Sequence, residues 1–113
     1  MTRQRKVEGE LQRVLAELVS REVKDPRVGN VTITAVSVAP DMKTARVFFV
    51  PFASTHDPAE VRTGLTRAGG FLRGEAGRRL GLRYAPRLEF VFDDRIDEAD
   101  RLTRLIDKAV RGR

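Results

Sequence analysis

The dipeptide Gly69-Gly70 stands between two apolar stripes of helical spacing, and it constrains this chain more than any other feature. Before it, Val61, Leu65 and Ala68 lie on one helical face; after it, Leu72, Ala76 and Leu80 lie on another. Two consecutive glycines cost about 2 kcal/mol of helix propensity relative to alanine, which disfavours one straight rod through both stripes. The spacing therefore predicts two helices that meet at a change of direction. Ser54, Thr55 and Asp57 offer N-cap oxygens for the first, Pro58 suits its opening turn, and Gly81 ends the second.

The elements around this kink follow from periodicity. Val7, Leu11, Val14, Leu15, Leu18 and Val19 form a stripe that predicts a helix over 7–24, closed by Asp25-Pro26 because proline cannot extend the ladder. Residues 31–39 and 44–52 are rich in valine, threonine and phenylalanine and flank Pro40-Asp41-Met42-Lys43, which predicts a β-hairpin. Ala45, Val47 and Phe49 share one face of its second strand, with Phe48, Val50 and Phe52 on the other. Val31 and Ile33 are out of phase with Val36 and Val38, so a twist or bulge is expected near Thr34-Ala35. A third strand alternates Leu88, Phe90 and Phe92 with Glu89 and Val91, and a last helix carries Ile96, Ala99, Leu102, Leu105, Ile106 and Ala109. The order is α-β-β-α-kink-α-β-α, an α+β architecture with a three-stranded sheet packed on helices.

At 113 residues the chain has the length for one hydrophobic core, and it reads as a single domain over 1–113. Residues 1–5 are expected to be a flexible basic arm and 111–113 a frayed tail. No apolar run approaches the roughly 20 residues of a membrane span. The basic start Met1-Thr2-Arg3-Gln4-Arg5-Lys6 is followed by alternating charges rather than an apolar stretch, so a cytoplasmic location is expected. The absence of cysteine excludes disulfides, thiolate metal sites and cysteine nucleophiles.

The formal charge of +6 is unevenly placed, which matters more than its size. Between 61 and 88, Arg62, Arg67, Arg73, Arg78, Arg79, Arg83 and Arg87 face one acid, Glu75, whereas acids outnumber bases between 93 and 108. A basic region beside an acidic one points to a polyanionic partner met from a defined side. Arginine suits folded or single-stranded RNA, because its guanidinium grips phosphate oxygens in pairs and stacks on unpaired bases.

Four blocks carry a resemblance. Glu22-Val23-Lys24-Asp25-Pro26-Arg27, Val38-Ala39-Pro40-Asp41-Met42-Lys43-Thr44-Ala45-Arg46-Val47, Ala68-Gly69-Gly70-Phe71-Leu72-Arg73 and Leu82-Arg83-Tyr84-Ala85-Pro86-Arg87-Leu88-Glu89-Phe90 resemble the signature of the ribosome-binding factor A family, in the same order. Asp93 and Asp94 close the last strand as in that family. The resemblance implies a type II KH-like fold in which an Ala-x-Gly kink, here Ala68, Gly69 and Gly70, replaces the Gly-x-x-Gly loop of ordinary KH domains. It also implies a non-catalytic assembly factor that binds the free 30S small ribosomal subunit and its 16S rRNA, assists late maturation and 5′-end processing, and leaves when maturation is complete. No cofactor, metal, membrane or small-molecule substrate is expected, and the chain is expected to be a monomer.

The residues expected to touch RNA are Arg67, Arg73, Arg78, Arg79 and Arg83 on or beside the kinked helices, extended by Lys24, Arg27, Lys43 and Arg46 if the fold brings them near. A solvated helix face is the alternative for any of them. Arg3, Arg5 and Lys6 form a basic arm that orders on RNA or simply frays. Most phenylalanines sit at core positions of strands or helices, which argues against an aromatic stacking platform.

A literal Gly-x-x-Gly, Gly74-Glu75-Ala76-Gly77, would make the chain an ordinary KH-type single-stranded RNA binder. It lies inside a helical stripe, and Glu75 would repel a phosphate, so a chance match is preferred. A second rival is an adaptor protein docking through the acidic segment 97–110. Enzymatic readings fare worst: His56 is the only histidine, Ser20, Ser37 and Ser54 lack a nucleophile elbow, and no phosphate-binding GxxxxGK[ST] loop exists. Asp93-Asp94 does not read as a metal pair, because neighbours on a strand point to opposite faces.

Overall fold

A computed structural model describes residues 2–52 and 56–95 of the chain. In order they form α1 (Arg3–Glu22), β1 (Val31–Val38), β2 (Thr44–Pro51), α2 (Pro58–Arg67), α3 (Gly69–Leu80) and β3 (Arg87–Phe92). The expected last helix, from Ile96 to Ala109, lies outside the described residues, as does the acidic segment 97–110. The three strands make one sheet in the order β1-β2-β3, with β1 antiparallel and β3 parallel to β2. This is the α+β arrangement, a three-stranded sheet packed on helices, that the periodicity predicts.

The bulge expected from the phase change is present. Ile33 pairs with Phe49 and Ala35 with Phe48, so Thr34 is the extra residue. It moves the inward-facing set from Ile33 to Val36 and Val38, all buried. These side chains join Ala45, Val47, Phe49 and Phe90 of the sheet, the α1 stripe from Val7 to Val19, and Val61, Leu65, Leu72 and Ala76 of α2 and α3 in one core. Phe49 and Phe92 meet edge to face, 6.2 Å between centroids, which fixes the β2–β3 register inside that core.

Polar side chains from the helices bond backbone groups on both sheet edges. Beside the apolar stripe of α1, Gln4, Glu8 and Gln12 recur every fourth residue and reach the free edge of β1. The Gln4 amide donates to the Val38 carbonyl at 3.0 Å, the Gln12 amide donates to Ile33 and Thr34, and Glu8 accepts from the Val38 N–H at 2.8 Å. On the other edge Arg62 of α2 donates from Nε to the Phe90 carbonyl. Backbone groups that would otherwise recruit a foreign strand are thereby satisfied.

Two local details differ from the periodicity. Helix α1 begins at Arg3, capped by Thr2, whose hydroxyl accepts from the Arg5 N–H. Arg3 and Arg5, expected in a flexible arm over 1–5, therefore lie in a helical turn; the apolar stripe marks only the buried part of a helix, and an exposed polar turn leaves no such signal. The helix also ends at Glu22 rather than at Lys24. The second difference is the kink. The direction changes at Ala68, which caps α2 and precedes α3, while Gly69 and Gly70 are already helical residues of α3. Gly81 closes α3 at φ 65°, with the Leu82 N–H bonded to the Gly77 carbonyl and the Gly81 N–H to Arg78, the paired bonds of a left-handed C-terminal cap.

Candidate nucleic-acid interface

The nine cations expected at the site do not form one patch, and what separates them is their partners. Arg27 is held by Asp25 through two side-chain bonds, one of 2.6 Å, while Asp25 also accepts from the Arg27 N–H. These bonds hold the Asp25 carboxyl down at about 2, and the nearby charge of Arg67 acts in the same direction. Arg27 thus belongs to the turn against which α2 packs, and Arg67, the last residue of α2, acts on Asp25 through its charge. Arg78 and Arg79 converge on Glu75, and Arg79 also lies 3.7 Å from Glu17 of α1. The one acid of the basic region is therefore answered from within its own helix. Lys24 is exposed past the end of α1, and Arg46 lies across from Glu89 in the sheet register, on the face away from the helices.

Gly74, Glu75, Ala76 and Gly77 are all inside α3, with Ala76 and Gly77 buried. A Cβ on Gly77 would come within 3.0 Å of Ala85. This glycine serves close packing of α3 on the following loop, and its backbone is not presented as a phosphate clamp.

The remaining cations do converge. Lys43, Arg73 and Arg83 line a cleft of about 630 Å³ together with Arg3, between the first turn of α1, the β1–β2 turn and the α3–β3 loop. Among the described residues that line it, Asp41 is the only acid, and its carboxylate accepts from the Lys43 N–H at 3.0 Å. Arg73, an exposed residue, donates from Nε to the Ala85 carbonyl, which ties its side chain to the α3–β3 loop. The Lys43 carbonyl accepts from Arg87 at 2.8 Å, tying the turn to the start of β3. Helix α1 adds a feature of its own: its first turn contains no acid, although acids are what the positive end of a helix favours. Arg3 and Arg5 instead add charge where the backbone is already electropositive.

Sequence reasoning did not single out Tyr84. It is 80% exposed on the cleft, with the Arg83 guanidinium 5.6 Å from its ring centroid. The signal available was its place in a loop, Leu82-Arg83-Tyr84-Ala85-Pro86, with no strand or helix period to bury it. The two acids lie just past the end of β3 and separate in burial: Asp93 is buried, accepting from the Thr34 hydroxyl at 2.7 Å and from Arg95, while Asp94 is exposed. His56 faces Glu60 one turn on, at the entry to α2.

A hairpin, a kinked helix pair and a parallel third strand, carrying a cationic cleft at one end, define a KH-like module of type II. The profile of "Ribosome-binding factor A" matches residues 3–106. The ribosome-binding factor A of Azoarcus sp. (strain BH72) is 46% identical over 110 residues, covering 97% of this chain and 87% of the relative. The crystal structure of ribosome-binding factor A from Thermus thermophilus superposes with a TM-score of 0.70 at 29% identity, covering 80% of this chain and 96% of the other. A homology model of the Thermus thermophilus factor, fitted into the cryo-EM map of a 30S complex, superposes at a TM-score of 0.63 with 30% identity, covering 75% of this chain and 89% of the other. The chain belongs to the ribosome-binding factor A family.

Proposed function

We propose that this protein binds the free small ribosomal subunit through its 16S rRNA and assists late maturation, including processing near the 5′ end, without catalysing a reaction itself. The observation that carries this reading is the convergence of Arg3, Lys43, Arg73 and Arg83 on one cleft where, among the described residues, Asp41 is the only acid. Such a cluster costs self-repulsion in the free protein and is relieved by a polyanion. The similar Thermus thermophilus factor seen with a 30S particle supplies the class of polyanion. In this reading the protein acts in the cytoplasm as a monomer, with no cofactor, and RNA backbone and shape supply most of the affinity. Arg78, Arg79 and Arg27, already paired within the fold, contribute less than the cleft cations.

Sucrose-gradient sedimentation of a lysate containing the tagged protein tests the proposal. Co-migration with free small subunits and absence from full ribosomes is the expected outcome. A protein that stays at the top of the gradient at low salt contradicts it.

A further inference from the structure

The cleft has more than charge. Its floor is apolar, built by Val7, Met42, Leu82, Ala85 and Pro86, and its volume of about 630 Å³ is within the range of small-ligand sites. Phosphate groups need neither an apolar floor nor an aromatic wall. Tyr84 nevertheless exposes 80% of its surface here, beside Arg83. Met42 is, among the described residues, the one non-glycine with positive φ, at 64°. That conformation is strained for an ordinary side chain, and the strained residue is one that lines the cleft floor.

We infer that the cleft is a pocket for one unstacked nucleobase of single-stranded RNA, stacked on Tyr84 above the apolar floor, with adjoining phosphates held by Lys43, Arg83 and Arg3. The inference rests on the RNA-binding reading above and adds to it the contact by which a base, and not only the backbone, is engaged. Every base has a π face, so the pocket accepts an unpaired residue with little regard to its identity. A paired base within a helix cannot enter.

Two strands of about ten nucleotides separate the contributions. One is oligouridylate; the other is the same ribose-phosphate chain without bases. Tyr84→Leu is expected to weaken binding of oligouridylate about tenfold, the scale of one aromatic–base stack, and to leave binding of the base-free chain unchanged. Tyr84→Phe, which keeps the ring, should bind both strands as the unaltered protein does. An unchanged affinity of Tyr84→Leu for oligouridylate, with Lys43→Ala still weakening it, overturns the pocket and leaves the RNA-binding reading standing. If the unaltered protein binds neither strand, both fall. The exposed position of Tyr84 keeps the fold out of the comparison, and circular dichroism of each variant verifies this.

Discussion

Single residues divide the charged groups into those that hold the fold and those that remain available. Asp93 is of the first kind: its carboxylate takes the hydroxyl of Thr34, 59 positions earlier, at the bulge of β1, and its N–H bonds to the Phe49 carbonyl. Asp93→Ala leaves the Thr34 hydroxyl without this acceptor and is expected to lower stability by about 2 kcal/mol, read from urea unfolding. Asp25 offers a pH signature. Its pKa is lowered from 3.8 to about 2 by the Arg27 bonds, so its contribution is complete above the unfolded value and is lost as pH falls from about 4 towards 2. The unfolding midpoints of wild type and Asp25→Asn should therefore differ at pH 6 and converge across that acid window; a constant difference would contradict the assignment. Little of this was legible in the sequence. Strand alternation predicts opposite faces for Asp93 and Asp94, but both follow the end of β3, and a buried carboxylate meeting a bulge across the sheet is a tertiary fact with no local signature.

At the scale of elements, the apolar periods were sufficient. The α1 stripe, the hairpin, its bulge and the α3 stripe all appear where 3.6-residue and two-residue spacing require them. Helix ends were less legible, because Arg3 to Lys6 are polar and a cap such as Thr2 has no period. The kink was correctly located but differently built. Gly69 and Gly70 have ordinary helical backbone, and an added Cβ meets only Phe90 at 3.9 Å from the first and nothing within 4 Å from the second. Gly70→Ala should thus stabilise the fold by about 0.5–1 kcal/mol through a less free unfolded chain. Gly64→Ala should do the reverse, by about 1–3 kcal/mol, because its Cβ would stand 2.8 Å from the buried Val28 side chain. Thermal unfolding of the two variants distinguishes these signs. A Gly70→Ala variant less stable than the parent would mean that the glycines themselves make the turn.

On the scale of the whole molecule, the charge excess was legible in the sequence and its distribution only partly so. The run of arginines between 61 and 88 includes Arg73 and Arg83 but does not separate them from Arg78 and Arg79, which the helix turns towards Glu75. Arg3 reads in the sequence as part of a basic arm, because only the folded chain brings the start of α1 beside the β1–β2 turn and the loop before β3. The central claim is that position, not net charge, makes the cleft the docking surface. Affinity for purified 30S subunits of two variants that lose the same two charges tests it most directly: Lys43→Ala with Arg83→Ala, and Arg78→Gln with Arg79→Gln. The cleft pair should weaken binding at least about tenfold and flatten its salt dependence by about 0.7 log units for each phosphate no longer held, while the α3 pair changes both only slightly. Equal losses in the two variants, or a larger loss in the α3 pair, would contradict the account.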